Sequence, residues 1–290
     1  MSLYQYAPDG SSKEKLYEWK DEGLMPTQWI VHRDVLYYTI ESYYTGENDI
    51  EEYLAFYALP LKGRDRLKPK QIYIPEEEGV DVVILGNPAA YGEHVYFTVV
   101  GNRDGWDESM ENDLDYIYTK TFVYDIGTEE VKEITVPGQT AYQTVGGVDF
   151  WKDKIIFSLF DHEKGYSGEG VFYIAELDGT DPEVLLNVER QDCTMFGDGK
   201  YLYRSNADFY EWVEKSGPKL YHVYDEELNE IDTFTTGDAY TTDFPIGNPD
   251  RACNIYYKES GEWGIEYWDK SELGSLNGAE IKFVDIPYEG

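Results

Sequence analysis

Carboxylates and aromatic rings are the residues of this chain whose types and spacing could do chemistry. The densest acidic stretch is GNRDGWDESMENDLD (101–115), with six carboxylates and two asparagine amides between Asn102 and Asp115. Ca²⁺ takes six to eight oxygen ligands on a flexible loop, and Gly105 would allow a sharp turn. Asn102, Asp104, Asp107 and Glu108 are therefore the candidate ligands. Their order, N-R-D-G-W-D-E, departs from the D-x-[DN]-x-[DN]-G register of an EF-hand loop. A solvated acidic loop is the leading expectation, with Ca²⁺ the one cofactor considered.

A second set of carboxylates, Asp81, Asp192 and Asp243, lies with Gln28 and Gln143 near the starts of successive apolar runs. Carboxylates converging from different elements could serve glycoside hydrolysis or lyase chemistry, with an acid facing a nucleophile or base across the scissile bond. Rings supply the other chemistry. Tyr43, Tyr44, Trp106, Tyr166, Tyr210, Trp212 and Trp263 occur in polar, acid-rich connections. Exposed rings beside acids suit a sugar, stacked on its C–H face, or a cation. The four histidines, His32, His94, His162 and His222, form no H-x-H or H-x-x-x-H pair, and only His162 adjoins such a connection.

The elements that must position these residues are short strands. GVDFW, KIIFSLF, VFYIAEL and EVLL follow one another between Gly147 and Leu186, each β-branched or aromatic and bounded by Gly, Asp or Lys turns. The second of these runs recurs as VLYYTIE, HVYFTVV, KYLYRSN and NIYYKES, and the copies start 59, 60, 46 and 54 residues apart. Six copies of the third run occur; five are followed by a short fourth, and the sixth leads to EIKFVDIP. A four-strand period of about 50 residues predicts an all-β chain, a β-propeller of five or six four-stranded blades. The boundaries read as one propeller domain over 1–290. It comprises an N-terminal hairpin at 3–20 and units at 27–75, 80–136, 143–187, 191–236 and 240–288. Two stacked β-sandwiches would explain the strands but not the recurrence. The ring-bearing connections join second to third strands and so share one face of a propeller, whereas first strands line its channel.

The turns after the third strands, Pro8-Asp9-Gly10, Leu61-Lys62-Gly63, Asp125-Ile126-Gly127 and Leu177-Asp178-Gly179-Thr180, resemble the L-D-G-T/S hairpin of TolB-like propellers and related bacterial cell-surface propeller lipoproteins. That resemblance implies binding or scaffold duty. The net charge of −34 and pI near 4.2 exclude a nucleic-acid partner, whose phosphates need Lys and Arg. No stretch is apolar enough to span a membrane. Cys193 and Cys253 read as small buried hydrophobes rather than a disulfide framework. The expectation is an extracytoplasmic protein, secreted or surface-anchored after removal of a signal segment. It would bind a carbohydrate, peptide or protein partner through its aromatic, acidic loop face, with the hydrolase as alternative.

Overall fold

The computed structural model describes residues 2–7, 11–19, 24–42, 55–74, 78–103, 117–165, 168–191, 193–197, 200–205, 220–235, 240–241, 246–247, 251–257, 263–276, 279–280 and 282–286. Most of them lie in β-strands, and the chain forms two compact units, Met1–Gly147 and Val148–Gly290.

The first unit opens with a hairpin, β1 (Ser2–Tyr6) and β2 (Lys13–Glu18). Blade one follows as β3 (Leu24–His32), β4 (Val35–Ser42), β5 (Ala55–Pro60) and β6 (Lys70–Tyr73). Blade two is β7 (Val80–Tyr91), β8 (His94–Arg103), β9 (Ile117–Asp125) and β10 (Val131–Glu133). Blade three is β11 (Gln143–Trp151), whose residues run across the unit boundary, β12 (Lys154–Asp161), β13 (Gly170–Ala175) and β14 (Glu183–Val188). Blade four is β15 (Met195–Gly197), β16 (Leu202–Ser205), β17 (Leu220–Tyr224) and β18 (Glu230–Thr235). The last sheet holds β19 (Tyr240–Thr241), β20 (Ile246–Gly247), β21 (Arg251–Tyr257) and β22 (Trp263–Asp269). Then β23 (Ala279–Glu280) leaves it, and β24 (Lys282–Ile286) returns to pair with β22.

Local chemistry sets these meanders. Arg33-Asp34 and Lys152-Asp153 have both residues at positive φ, the twist that two-residue hairpins between right-handed strands require. After the third strands an aspartate closes the turn. Asp125 accepts from the Thr128 amide at 2.7 Å, Asp178 from the Thr180 amide and hydroxyl at 3.1 and 2.6 Å, and Asp225 from the Asn229 amide at 2.8 Å. These bonds favour the ionised form. The Thr128 amide holds Asp125 below the usual carboxylate range, and the Asn229 side chain does the same for Asp225. A share of the acidic excess therefore caps turns.

A hydroxyl recurs on the second strands. Thr39 bonds the Thr27 hydroxyl at 2.9 Å and accepts from the Gln28 amide at 3.1 Å, where the register of β3 shifts between Pro26 and Trp29. Thr98, buried and opposite Gly86 at the matching shift in β7, bonds Thr121 at 3.1 Å. Ser205 bonds Thr194 at 2.7 Å. A bulge leaves ladder groups unpaired, and a buried hydroxyl beside it restores a partner.

The core lies between sheets. Blades one and two enclose Tyr37, Phe56, Leu85, Val95, Phe97, Val99 and Phe122, with Phe56 and Phe97 stacked at 4.5 Å. Desolvation there pushes the Tyr37 hydroxyl up to about 12. Within the second unit, Trp151, Ile156, Phe172 and Val188 face Cys193, Met195, Leu202 and Tyr224.

The last sheet departs from the plain four-strand unit in two ways. Its first strand is broken into β19 and β20, both paired to β21. In addition, β23 pairs in parallel with β18, giving blade four a fifth strand. The buried Asp232 carboxylate fixes this excursion by accepting from the amides of Gly274 (2.6 Å) and Leu276 (2.9 Å).

Candidate ligand-binding cavity

Aligning the second strands on their hydroxyls brings Tyr38, Phe97, Phe157 and Arg204 into one column, each immediately before Thr39, Thr98, Ser158 or Ser205. Cross-strand pairing places Tyr57, Phe122, Tyr173 and His222 opposite them. The first three pairs are stacked rings, with centroids at 5.6, 5.6 and 5.9 Å. The fourth pair is a guanidinium beside an imidazole. Residues directly opposite on antiparallel strands share a face, so Arg204 and His222 occupy the place of a core aromatic pair.

A cavity of about 480 Å³ opens there, lined by Leu186 to Arg190 at the end of β14 and by Cys193, Arg204, His222 and Tyr224. Arg204 Nε donates to the Tyr224 hydroxyl at 3.2 Å, and His222 Nδ1 lies 3.1 Å from a Glu230 carboxylate oxygen. Two of the chain's seven arginines thus border one hollow in a molecule of net charge −34. The volume suits a small ligand, and a guanidinium matches a carboxylate in two-point geometry. Cys193 is a buried free thiol whose Sγ lies 3.0 Å from the Arg190 carbonyl oxygen.

The same interface carries a partly buried acid. Asp149 sits three residues before the turn at Lys152, the position held by Ile30 and Ala89 in blades one and two. Its carboxylate accepts from the Phe150 amide at 2.7 Å and from the Gly197 amide of β15, yet desolvation outweighs both bonds and pushes it up to about 7. Gly197 permits this approach, because a Cβ there would collide with the Phe150 carbonyl oxygen.

Few of the residues expected to do chemistry can be placed. Tyr43, Tyr44, Trp106, Tyr166, Tyr210 and Trp212 lie outside the described residues, as do Asp104, Asp107, Glu108, Asp192 and Asp243. Trp263 opens strand β22 opposite Tyr257, rather than lying in a loop. Asn102 is likewise a strand residue, opposite Asp81 in the β7–β8 ladder. Gln28 packs on Gly86, and Gln143 accepts from the Thr140 amide at 3.1 Å. His162 stands edge-on to Phe160 at 4.8 Å, and burial lowers its pKa against the opposing pull of Asp161. Its loop is anchored by the buried Gln191, which accepts from the Asp161 amide at 2.8 Å and donates to the Asp161 and Gly165 carbonyls. Among the described residues no cluster of three metal-ligating side chains forms, and no helix is long and apolar enough to cross a membrane. Sequence reading missed Arg190, Arg204 and Asp149 and set His222 aside with the histidines that form no ligand-spaced pair; the aligned hydroxyl column was the signal for Arg204.

No sequence-family model and no curated protein matches the chain. Solved structures do. A protein of unknown function from Dyadobacter fermentans is 9% identical, with a TM-score of 0.52 over 94% of this chain and 85% of that one. Dipeptidyl peptidase 4 of Porphyromonas gingivalis is 10% identical, with a TM-score of 0.50 over 97% of this chain and 45% of that one. The β-propeller domain of the trilobed protease of Pyrococcus furiosus is 11% identical, with a TM-score of 0.49 over 93% of this chain and 80% of that one. The chain thus spans less than half the length of the peptidase. At these identities the likeness is one of fold, and the fold is a β-propeller built of four-stranded antiparallel blades.

Proposed function

We propose that the chain is an extracytoplasmic binding propeller whose cavity between blades three and four takes a carboxylate-bearing ligand. The observation that carries this reading is the Arg204–His222 pair standing where three sister blades stack two rings. Replacing a ring pair by two cationic or polar heads inside an interface forfeits apolar burial, and an anion held there would offset the cost. The Tyr224 hydroxyl beside Arg204 adds a polar group suited to the hydroxyls of a sugar. The test is calorimetric titration with oligogalacturonate, with a neutral galactose oligomer of equal length and with a Glu-rich peptide. Binding of oligogalacturonate alone, lost in Arg204→Ala, supports an acidic saccharide. Binding of the peptide instead assigns the carboxylate to a protein partner, and heat from none of the three overturns the reading.

A second reading has one observation in its favour. Asp149 holds a proton near neutral pH, as a general acid of a glycoside hydrolase must. It predicts turnover of an aryl glycoside that Asp149→Asn abolishes.

A further inference from the structure

The N-terminal hairpin β1–β2 packs on one face of blade one. Leu3, Tyr17 and Trp19 meet Leu36, Tyr38, Ile40 and Leu59, and the Trp19 and Tyr38 rings stand edge to face at 5.5 Å. Cross-strand pairing places Trp29 opposite Tyr38 and Val31 opposite Leu36, so both side chains belong to this same face. Yet Trp29 is 64% exposed and Val31 52%, while Tyr38 and Leu36 beside them are buried. The hairpin covers β4 and β5 and leaves β3 open.

The equivalent positions in the next two blades behave otherwise. Counting back from the two-residue turns, Trp29 matches Pro88 and Val148, and Val31 matches Ala90 and Phe150. All four counterparts are partly buried. Blades one and two show how an interface of this kind is filled. Ile30 of the first strand and Tyr37 of the second cover the following sheet, packed with Phe56 against Phe97 and Phe122. Beside β1–β2, among the described residues, no first and second strands do this; the hairpin is a sheet of two strands.

We propose that Trp29 and Val31 form the floor of a strand-addition site. Its occupant is a β-hairpin of a partner polypeptide, seated beside β1–β2 in the place that first and second strands hold in the other blades. The interface it would extend already exists over β4 and β5, which fixes the direction of its strands and the face it buries. Its chemistry follows from the filled interface: branched and aromatic residues at alternate positions toward Trp29 and Val31, with backbone bonds to the hairpin edge that pairs with no other strand among the described residues. An isolated two-stranded sheet is marginal in water, and two added strands would complete the unit that the other blades repeat.

The probe is the chain's own inner hairpin from blade three, a fluorescein-labelled peptide of residues 143–161, with a peptide of the same composition but broken alternation as control. Titration into the 290-residue protein is expected to give saturable anisotropy, a blue shift of tryptophan emission and slowed amide exchange in β1 and β3. The Trp29→Lys/Val31→Lys double variant, both sites being exposed, should keep the wild-type circular dichroism and weaken the peptide about tenfold or more. Val184→Lys, at an equally exposed apolar residue on β14, should leave binding unchanged. Absence of binding, equal binding of the broken-alternation peptide or indifference to the double variant overturns the proposal. Self-association of the wild type that the double variant abolishes in sedimentation also overturns it, assigning the surface to a second copy.

Discussion

The interface between blades one and two and the one between blades three and four are built on the same register, and they differ in chemistry at matched positions. In the first, Ile30, Tyr37 and Phe56 face Phe97 and Phe122. In the second, the matching residues are Asp149, which the Gly197 amide bonds, and Ile156 and Phe172, which pack on Leu202 and Tyr224, while Arg204 and His222 hold the places of Phe97 and Phe122. The backbone ladder is indifferent to the exchange, because strand pairing is carried by main-chain groups and by hydroxyls such as Thr98 and Ser205 that both blades keep. Side chains alone decide whether an interface closes as core or opens as a cavity. A repeat fold can thus spare one interface for binding while its neighbours supply stability.

Emptying the closed interface should have the largest effect. Phe97→Ala removes a fully buried ring that stacks on both Phe56 and Phe122, and truncating such a ring costs about 3–5 kcal/mol in unfolding free energy. Denaturant melts of the variant check this. A loss below about 1 kcal/mol would mean that the first interface is not the stabilising one, and the contrast would fail.

Asp149 tests the open interface through pH. Its folded value of about 7 lies above the ordinary carboxylate value of 3.8, so the folded state binds the proton more tightly. Stability from this group is therefore full below about pH 4 and is lost as pH rises through 7. Asp149→Asn should match the wild type near pH 4 and exceed it at pH 8, by on the order of 1–4 kcal/mol at about 1.36 kcal/mol per unit. Melts at pH 4.5, 6 and 8 measure the difference. A difference independent of pH would mean that Asp149 does not titrate across this range.

Arg204→Phe/His222→Phe converts the open interface toward the closed one. Unfolding free energy should change by less than about 1.5 kcal/mol, as for a swap that keeps hydrophobic volume and register. Oligogalacturonate binding should weaken by about tenfold or more in calorimetry. Unfolding on substitution would show that the cationic pair holds the blades together.

The strands were legible because their signal is local. The second strands predicted at Val35, His94 and Lys154 begin at those residues, where alternating apolar runs meet two-residue turns. The cavity was not, because Arg204 in YLYRSN reads as an outward polar residue of an alternating strand. Only its column beside Tyr38, Phe97 and Phe157 marks it as inward. Asp149 hides in the same way, as the polar residue of GVDFW. The fifth strand of blade four has no run of its own; two residues pair with β18 because Asp232, 42 and 44 positions before Gly274 and Leu276, captures their amides. Such long-range bonds leave no periodicity to read.

The smallest effect is expected at a residue belonging to neither interface. Asp178 closes the β13–β14 turn by accepting from the Thr180 amide and hydroxyl, with Gly179 at φ 80° supplying the left-handed step. Asp178→Ala removes an exposed side-chain bond whose loss water largely compensates, so the cost should be about 0.5–1 kcal/mol. Asp178→Asn, which keeps an acceptor oxygen, should recover most of it. Neither substitution should alter ligand binding, because the turn positions strands whose register the ladder and the hydroxyl-filled bulges already fix. Paired melts and calorimetry on the two variants check both halves. A binding defect as large as that of Arg204→Phe would show that the cavity answers to any loosening of blade three, and the contrast between the two interfaces would then be one of rigidity rather than of side-chain chemistry.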